Sequence, residues 1–221
     1  MPRKTSPDKI IEKGVKAALS LAGETPWAAL HLKDICEEAG LALSQFHGVA
    51  DKDDLADAVE PFFDKAMSAE EIDADEDART RLFEVIMLRF EAMEPHRDGL
   101  VSLMKYRETS PAHLTALLRA RRASAEWALV CAGLDGADDA PLALKAVNVA
   151  WAMGRAERAW RREDSADFTR TMAALDKELR DAEERGGLWR RLRRMRRRGW
   201  SYTRPAESRP ENSPPSEKDQ D

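Results

Sequence analysis

Apolar residues recur every three or four positions along most of the chain, the spacing of helices that bury one face. Ile11, Val15, Ala18, Leu19 and Ala22 form the first such face. Ser6-Pro7-Asp8 predicts its start: a capping serine, a proline in the first turn, and an acid at the positive end of the helix dipole. Gly23 is its predicted end, and Trp27 and Leu30 close a small core. Leu32, Ile35, Cys36 and Ala39 predict a second helix. Gly40 stops it, because glycine readily takes the left-handed conformation. Leu43, Phe46 and Val49 predict a short third helix over 43–49. Asp51 then caps a fourth, from Lys52 to about Met67, with Leu55, Ala58, Val59 and Phe62 inside and Pro61 as a kink or early stop. Two short helices joined by a tight glycine turn make a helix-turn-helix unit, whose second helix can enter a DNA major groove.

The rest reads as a helical body. Residues 78–93 place Leu82, Phe83, Ile86, Phe90 and Met93 at helical spacing, and Pro95 ends the run. A short helix follows over 97–107. Pro111 opens another that reaches Cys131 near Gly133, and Pro141 opens the next, to about Arg162. Ser165 or Asp167 caps a last body helix to Glu184, with a break expected at Gly186-Gly187 and a separate basic helix over 188–198. Scarce aromatic residues beside abundant Ala, Leu, Glu, Arg and Lys agree with an all-α chain. The reading divides it into a head (1–60), a body (61–184), a basic amphipathic segment (185–204) and a disordered tail rich in Pro, Ser and charge (205–221).

Charge adds an asymmetry that the net value of −5 hides. Residues 1–60 hold seven Lys or Arg and eleven Asp or Glu, whereas 185–204 hold nine arginines and no acid. The recognition helix over 43–49 offers Ser44, Gln45 and His47 as polar contacts but contains no Lys or Arg. Lys52, Arg3, Lys4 and Lys9 are the nearby candidates for backbone phosphates. In the basic segment, Leu188, Leu192 and Met195 share a stripe flanked by Trp189, while Arg190, Arg191 and Arg194 cover the polar side and Trp200 follows. Such a segment lies in an anionic membrane interface, neutralises nucleic-acid phosphate, or covers the protein's own acidic body.

Phe83, Met87, Phe90, Met104, Trp127, Trp151 and Trp160 are candidates for a ligand pocket or for plain core. Ala143, Ala146, Ala150 and Gly154 form a small-residue stripe, suited to packing within the chain or against a second copy. Asp73, Asp75, Asp77 and Glu84 fall at calcium-loop spacing, but Ala78 holds the position where the turn needs glycine, so they read as acids preceding a helix. The histidines at 31, 47, 96 and 113 lack metal-ligand spacing, and no phosphate-binding glycine loop, nucleophile elbow or paired-cysteine motif occurs. Nothing therefore points to an enzyme, a cofactor or a metal. Cys36 and Cys131 read as buried thiols of a reducing compartment; with no apolar secretory core or 18-residue apolar run, a cytoplasmic protein is expected.

Ile35, Ala39-Gly40-Leu41 and Lys52-Asp53-Asp54-Leu55 resemble the DNA-binding domain of the TetR family of bacterial regulators over about 55 residues. The resemblance implies a homodimer in which a small apolar ligand enters the body and moves two heads on a DNA operator. It also implies that the last two body helices build the dimer. A second resemblance is carried by Trp160, Asp164, Ser165, Asp167, Thr171, Leu175, Asp176 and Leu179. These look like the C-terminal pattern of the lipid-binding accessory protein of coenzyme Q biosynthesis, a TetR-like fold that holds isoprenoid lipid and docks on membranes through a C-terminal amphipathic helix. That resemblance implies a lipid ligand and peripheral membrane contact.

Overall fold

The computed structural model describes residues 6–136 and 140–198, with side chains through Arg185. Nine α-helices follow one another, and no strand occurs among the described residues. The head comprises α1 (Pro7–Glu24), α2 (Leu32–Glu38) and α3 (Leu43–Phe46), closed by α4 (Lys52–Asp64). Val15, Leu19, Ile35, Phe46 and Leu55 are buried together as their spacing predicts, with Ile11 and Leu32 packed at the edge. Trp27, in a 3₁₀ turn, is wholly buried and ties its backbone N–H to Ser102 Oγ at 2.8 Å.

The turns follow from their residues. Gly40 takes φ +63° after α2, and Leu41 N–H closes the helix end on the Cys36 carbonyl. Asp51 accepts from the Asp53 and Asp54 N–H groups, while Asp54 accepts from the Asp51 N–H at 2.9 Å, a reciprocal cap on α4. Ser6 stands at the predicted start of α1, but its side chain caps nothing, and the helix continues one residue beyond Gly23. The third helix is shorter than its apolar pattern: Gly48 adopts φ +74°, and α3 ends at Phe46 instead of Val49. Pro61 does not stop α4; the helix runs through it to Asp64 and continues as a 3₁₀ turn over Lys65–Ser68. The predicted head–body boundary at 60/61 thus falls inside one continuous helix.

The body comprises α5 (Ala78–Met93), α6 (Arg97–Arg107), α7 (Pro111–Cys131), α8 (Leu142–Trp160) and α9 (Thr169–Arg198). Asp77 caps α5, accepting from the Arg79 and Thr80 N–H groups, which explains the acid before this helix without a metal. Helix α6 lies directly on α1, α7 on α4 and α8, and α8 on α9. The expected break at Gly186-Gly187 is absent: α9 runs through both glycines for 30 residues to Arg198. Helical neighbours on both sides carry the glycines through, at a propensity cost of about 1 kcal/mol each relative to alanine.

Charge, not only apolar contact, joins α4 to the body. Glu60 on α4 is buried and accepts from Arg89 of α5 and, at 3.2 Å, from Arg107 of α6. Arg107 also donates to the Ala56 carbonyl. Asp64, one turn on, accepts from Arg89 Nε at 2.9 Å and from Ser124 Oγ of α7 at 2.7 Å. Four helices therefore meet at one hydrogen-bonded ionic cluster, which satisfies the condition for burying charge.

Candidate nucleic-acid interface

Helix α3 is a single turn, and Phe46 anchors it with 1% of its surface exposed. Anchoring that residue turns Leu43, Ser44 and His47 outward; Leu43 is 51% exposed. Gln45 is half-buried, and its Oε1 accepts the Ala42 N–H at 2.9 Å, so it caps its own helix in place of the missing serine or threonine. Its amide nitrogen has no acceptor among the described residues, which leaves both donors for a partner. The structure thus brings Ser44, Gln45 and His47 together on one small surface. Arg3 and Lys4 lie outside the described residues.

Lys52 is placed differently from its sequence reading as a phosphate contact. Its Nζ donates to the Leu30 carbonyl at 2.8 Å and the Ala28 carbonyl at 3.2 Å, and sits 5.4 Å from the centre of the Tyr106 ring. Burial lowers its pKa against the opposing pull of Asp53. This ammonium staples the loop before α2 to the start of α4 and to α6. Lys52→Met should lower stability by about 1 kcal/mol, read from the denaturant midpoint, because two carbonyls lose a charged donor. It should change DNA retention far less than a phosphate contact would. With Lys52 engaged, Lys33 is the other base in residues 30–60, against eight acids.

The pocket candidates separate. Met87, Phe90 and Met104 are buried and Phe83 is partly buried against the same core. Trp127 and Trp151 are instead 41% and 59% exposed, on the outer sides of α7 and α8. These two stand off the inward stripes of Ala125, Ala128 and Leu129 and of Val149, Ala152 and Met153. Trp127 Nε1 donates to the Asp64 carbonyl at 3.1 Å across the surface. Trp160 is fully buried, donates to Glu94 at 2.8 Å and packs tilted on Phe90 with ring centres 6.3 Å apart.

Other candidates resolve into architecture. Ala146 is buried within its own chain and Gly154 faces Arg121 of α7, so the small-residue stripe serves internal packing in part. The outer row of α8 is a different set: Leu144, Val147 and Trp151, between 47% and 59% exposed. Sequence spacing alone did not separate that row from the buried one. Around the α8–α9 corner, Glu163 accepts from Thr171 N–H and Oγ1 at 2.9 and 3.0 Å, Ser165 Oγ accepts the Asp167 N–H at 3.1 Å, and Leu175 and Leu179 are buried. Most of the second resemblance's residues thus shape this corner. Cys36 is buried and Cys131 half-buried; burial raises both thiols. No three of His, Cys, Asp or Glu converge as a metal site among the described residues, and no described helix is long and apolar enough to cross a membrane. The side chains of Leu188, Trp189, Arg190, Arg191, Leu192, Arg194 and Met195, and the whole of Trp200, lie outside the described residues.

A three-helix helix-turn-helix head continued by α4 into an all-helical body is the TetR-like fold. The same architecture is found in the crystal structure of a TetR transcriptional regulator from Nitrosomonas europaea ATCC 19718, with a TM-score of 0.64, 21% sequence identity, and coverage of 79% of this chain and 98% of that one. At that identity the likeness is one of fold. No family model matches the sequence, and no curated protein matches it.

Proposed function

We propose that this chain is a non-enzymatic, ligand-responsive transcriptional regulator acting as a homodimer. The observation that carries this reading is the exposed polar surface of α3, held out by a packed head. Ser44, His47 and the free amide donors of Gln45 are the groups that reach base edges, and Leu43 offers apolar contact to a thymine methyl. With few phosphate-binding cations, such a head depends on base contacts and on Arg3 and Lys4 for affinity. Ser44→Ala with His47→Ala should leave stability within about 0.5 kcal/mol, since both are exposed. It should weaken operator binding by about tenfold or more, because a good base contact contributes about 1–3 kcal/mol. Fluorescence anisotropy on a selected DNA fragment measures it.

The dimer face in this reading is the outer row of α8. Three neighbouring large apolar residues on an exposed helix favour covering by a second copy, and a two-fold axis pairs the row with itself. Trp151→Glu should convert a dimer to a monomer in light scattering at micromolar concentration while leaving the helical signal intact. The ligand in this reading is small and apolar, and enters beside Met87, Phe90 and Met104.

One observation favours a second reading. The helix-turn-helix stretch carries two lysines against eight acids, and one of those lysines is engaged internally. Phosphate neutralisation supplies most of the general affinity for DNA. A head that repels phosphate suits a TetR-fold, lipid-binding accessory protein that docks on anionic membranes through residues 188–200. Sedimentation of the full chain with anionic liposomes, beside retention on DNA, separates the two.

A further inference from the structure

We infer that the cleft between the C-terminal end of α8 and the first turns of α9 binds a small, multiply charged phosphate-bearing anion. This does not rest on the regulator reading. The cleft holds about 550 Å³, within the range of small-molecule sites. Arg155 and Arg158 reach it from the last turns of α8, Arg161 and Arg162 from the turn that follows, and Arg170 and Lys177 from α9. Ala159 and Ala174 leave the space between the two helices open. Six cations thus line one concave surface, with Glu178 the one acid among the lining residues.

Local pairing accounts for part of this charge. Arg155 bonds Glu178 at 3.3 Å, Arg170 bonds Asp164 at 2.9 Å, Lys177 bonds Asp181 at 2.7 Å, and Arg161 is shared between Glu157 and Glu108. Arg158 and Arg162 have no ion-pair partner among the described residues. Arg161 Nε is buried without an acceptor among them. Basic residues at the end of α8 have an ordinary cause in the helix dipole, whereas those on α9 do not share it. The first turn of α9 carries Arg170, while Glu163, outside the helix, supplies the negative charge that the dipole favours by accepting the Thr171 N–H at 2.9 Å. Several guanidinium groups facing one cleft favour one kind of occupant, an anion with several oxygens that accept paired N–H donors.

Concavity decides between a small anion and a macromolecular one. A duplex or a membrane surface meets a flat or convex cationic face, whereas these side chains line one concave surface between two helices. The apolar row on α8 ends at Trp151, a full turn before Arg155, so the cleft is distinct from that row.

The test is titration of the full-length protein with sodium tripolyphosphate at fixed ionic strength, followed by calorimetry. The wild type should bind at micromolar concentration with one site per chain. Arg158→Gln with Arg162→Gln, neither of which breaks an ion pair among the described residues, should weaken binding by about tenfold or more, as expected for losing charge-assisted contacts. Its thermal midpoint without ligand should match the wild type. A second full-length variant, with Arg190, Arg191, Arg193 and Arg194 changed to Gln, controls for the basic segment and should bind like the wild type. Loss of binding in that variant with none in the first would place the anion on the segment and overturn the inference. So would a wild type that ignores tripolyphosphate, including one that instead binds duplex DNA or anionic vesicles through Arg158 and Arg162.

Discussion

Replacing Gly99 with alanine should destabilise the protein by about 3 kcal/mol, the upper part of the range for overpacking, and lower the melting midpoint by about 6–12 °C. Gly99 is where α6 crosses α1. A Cβ built there would overlap the Leu19 carbonyl oxygen and stand 2.9 Å from its carbon and 3.1 Å from its Cα. All three atoms are backbone in the middle of a helix, so no side chain can rotate away to make room. Helices α1 and α6 must separate, and with them the head from the body. A calorimetric scan of Gly99→Ala beside the wild type measures the effect; an unchanged midpoint would mean that the two helices are not in direct contact.

Glu60→Ala should be still more damaging, about 3–5 kcal/mol, the cost of removing one partner from a buried ion pair. Arg89 and Arg107 are both buried and both donate to Glu60, so the substitution takes one acceptor from each of two buried guanidinium groups and leaves Asp64 alone to balance Arg89 within the cluster. The same cluster sets a pH dependence. Burial raises the pKa of Glu60, but Arg89, Arg107 and Arg121 more than offset it, and the carboxyl titrates below its usual range. A depressed folded pKa contributes stability above the unfolded pKa and loses it as pH falls through the folded one. Asp64 acts in the opposite sense: burial holds its pKa above the usual value despite Arg89 and Ser124. Its contribution is greatest in acid and fades as pH rises through the folded value. Stability of the wild type should therefore fall on acidification below the ordinary carboxylate range. Glu60→Gln should flatten that fall, as seen in denaturant midpoints across pH.

The helical pattern was legible because apolar spacing and caps agreed with each other. Asp51 and Gly40 marked ends that the chain uses, and the core of the head follows the spacing of Val15, Leu19, Ile35, Phe46 and Leu55. What escaped the sequence reading had three physical causes. Gly48 looked like a helix residue, but it takes a left-handed turn and shortens α3 to one turn. Gly186 and Gly187 looked like breakers, yet two glycines cost less than long helical flanks supply. Lys52 matched a family position, but a charge says nothing about its direction; the Ala28 and Leu30 carbonyls and the Tyr106 ring hold it inward. The placement of Ser44, Gln45 and His47 on one surface was legible from their spacing around Phe46. The ionic cluster of α4 was not, because its bonded partners are separated by up to 60 positions in the chain.

In the proposed regulator, α3 reads DNA. The most direct measurement of this is selection by the full-length wild type from a random-sequence duplex library at low salt, with the Ser44→Ala, His47→Ala variant in parallel. A regulator should enrich a two-fold symmetric motif as the wild type and lose it as the variant. Failure of the wild type to enrich any sequence, together with its sedimentation on anionic liposomes, would contradict the regulator and leave the membrane-docking reading in its place.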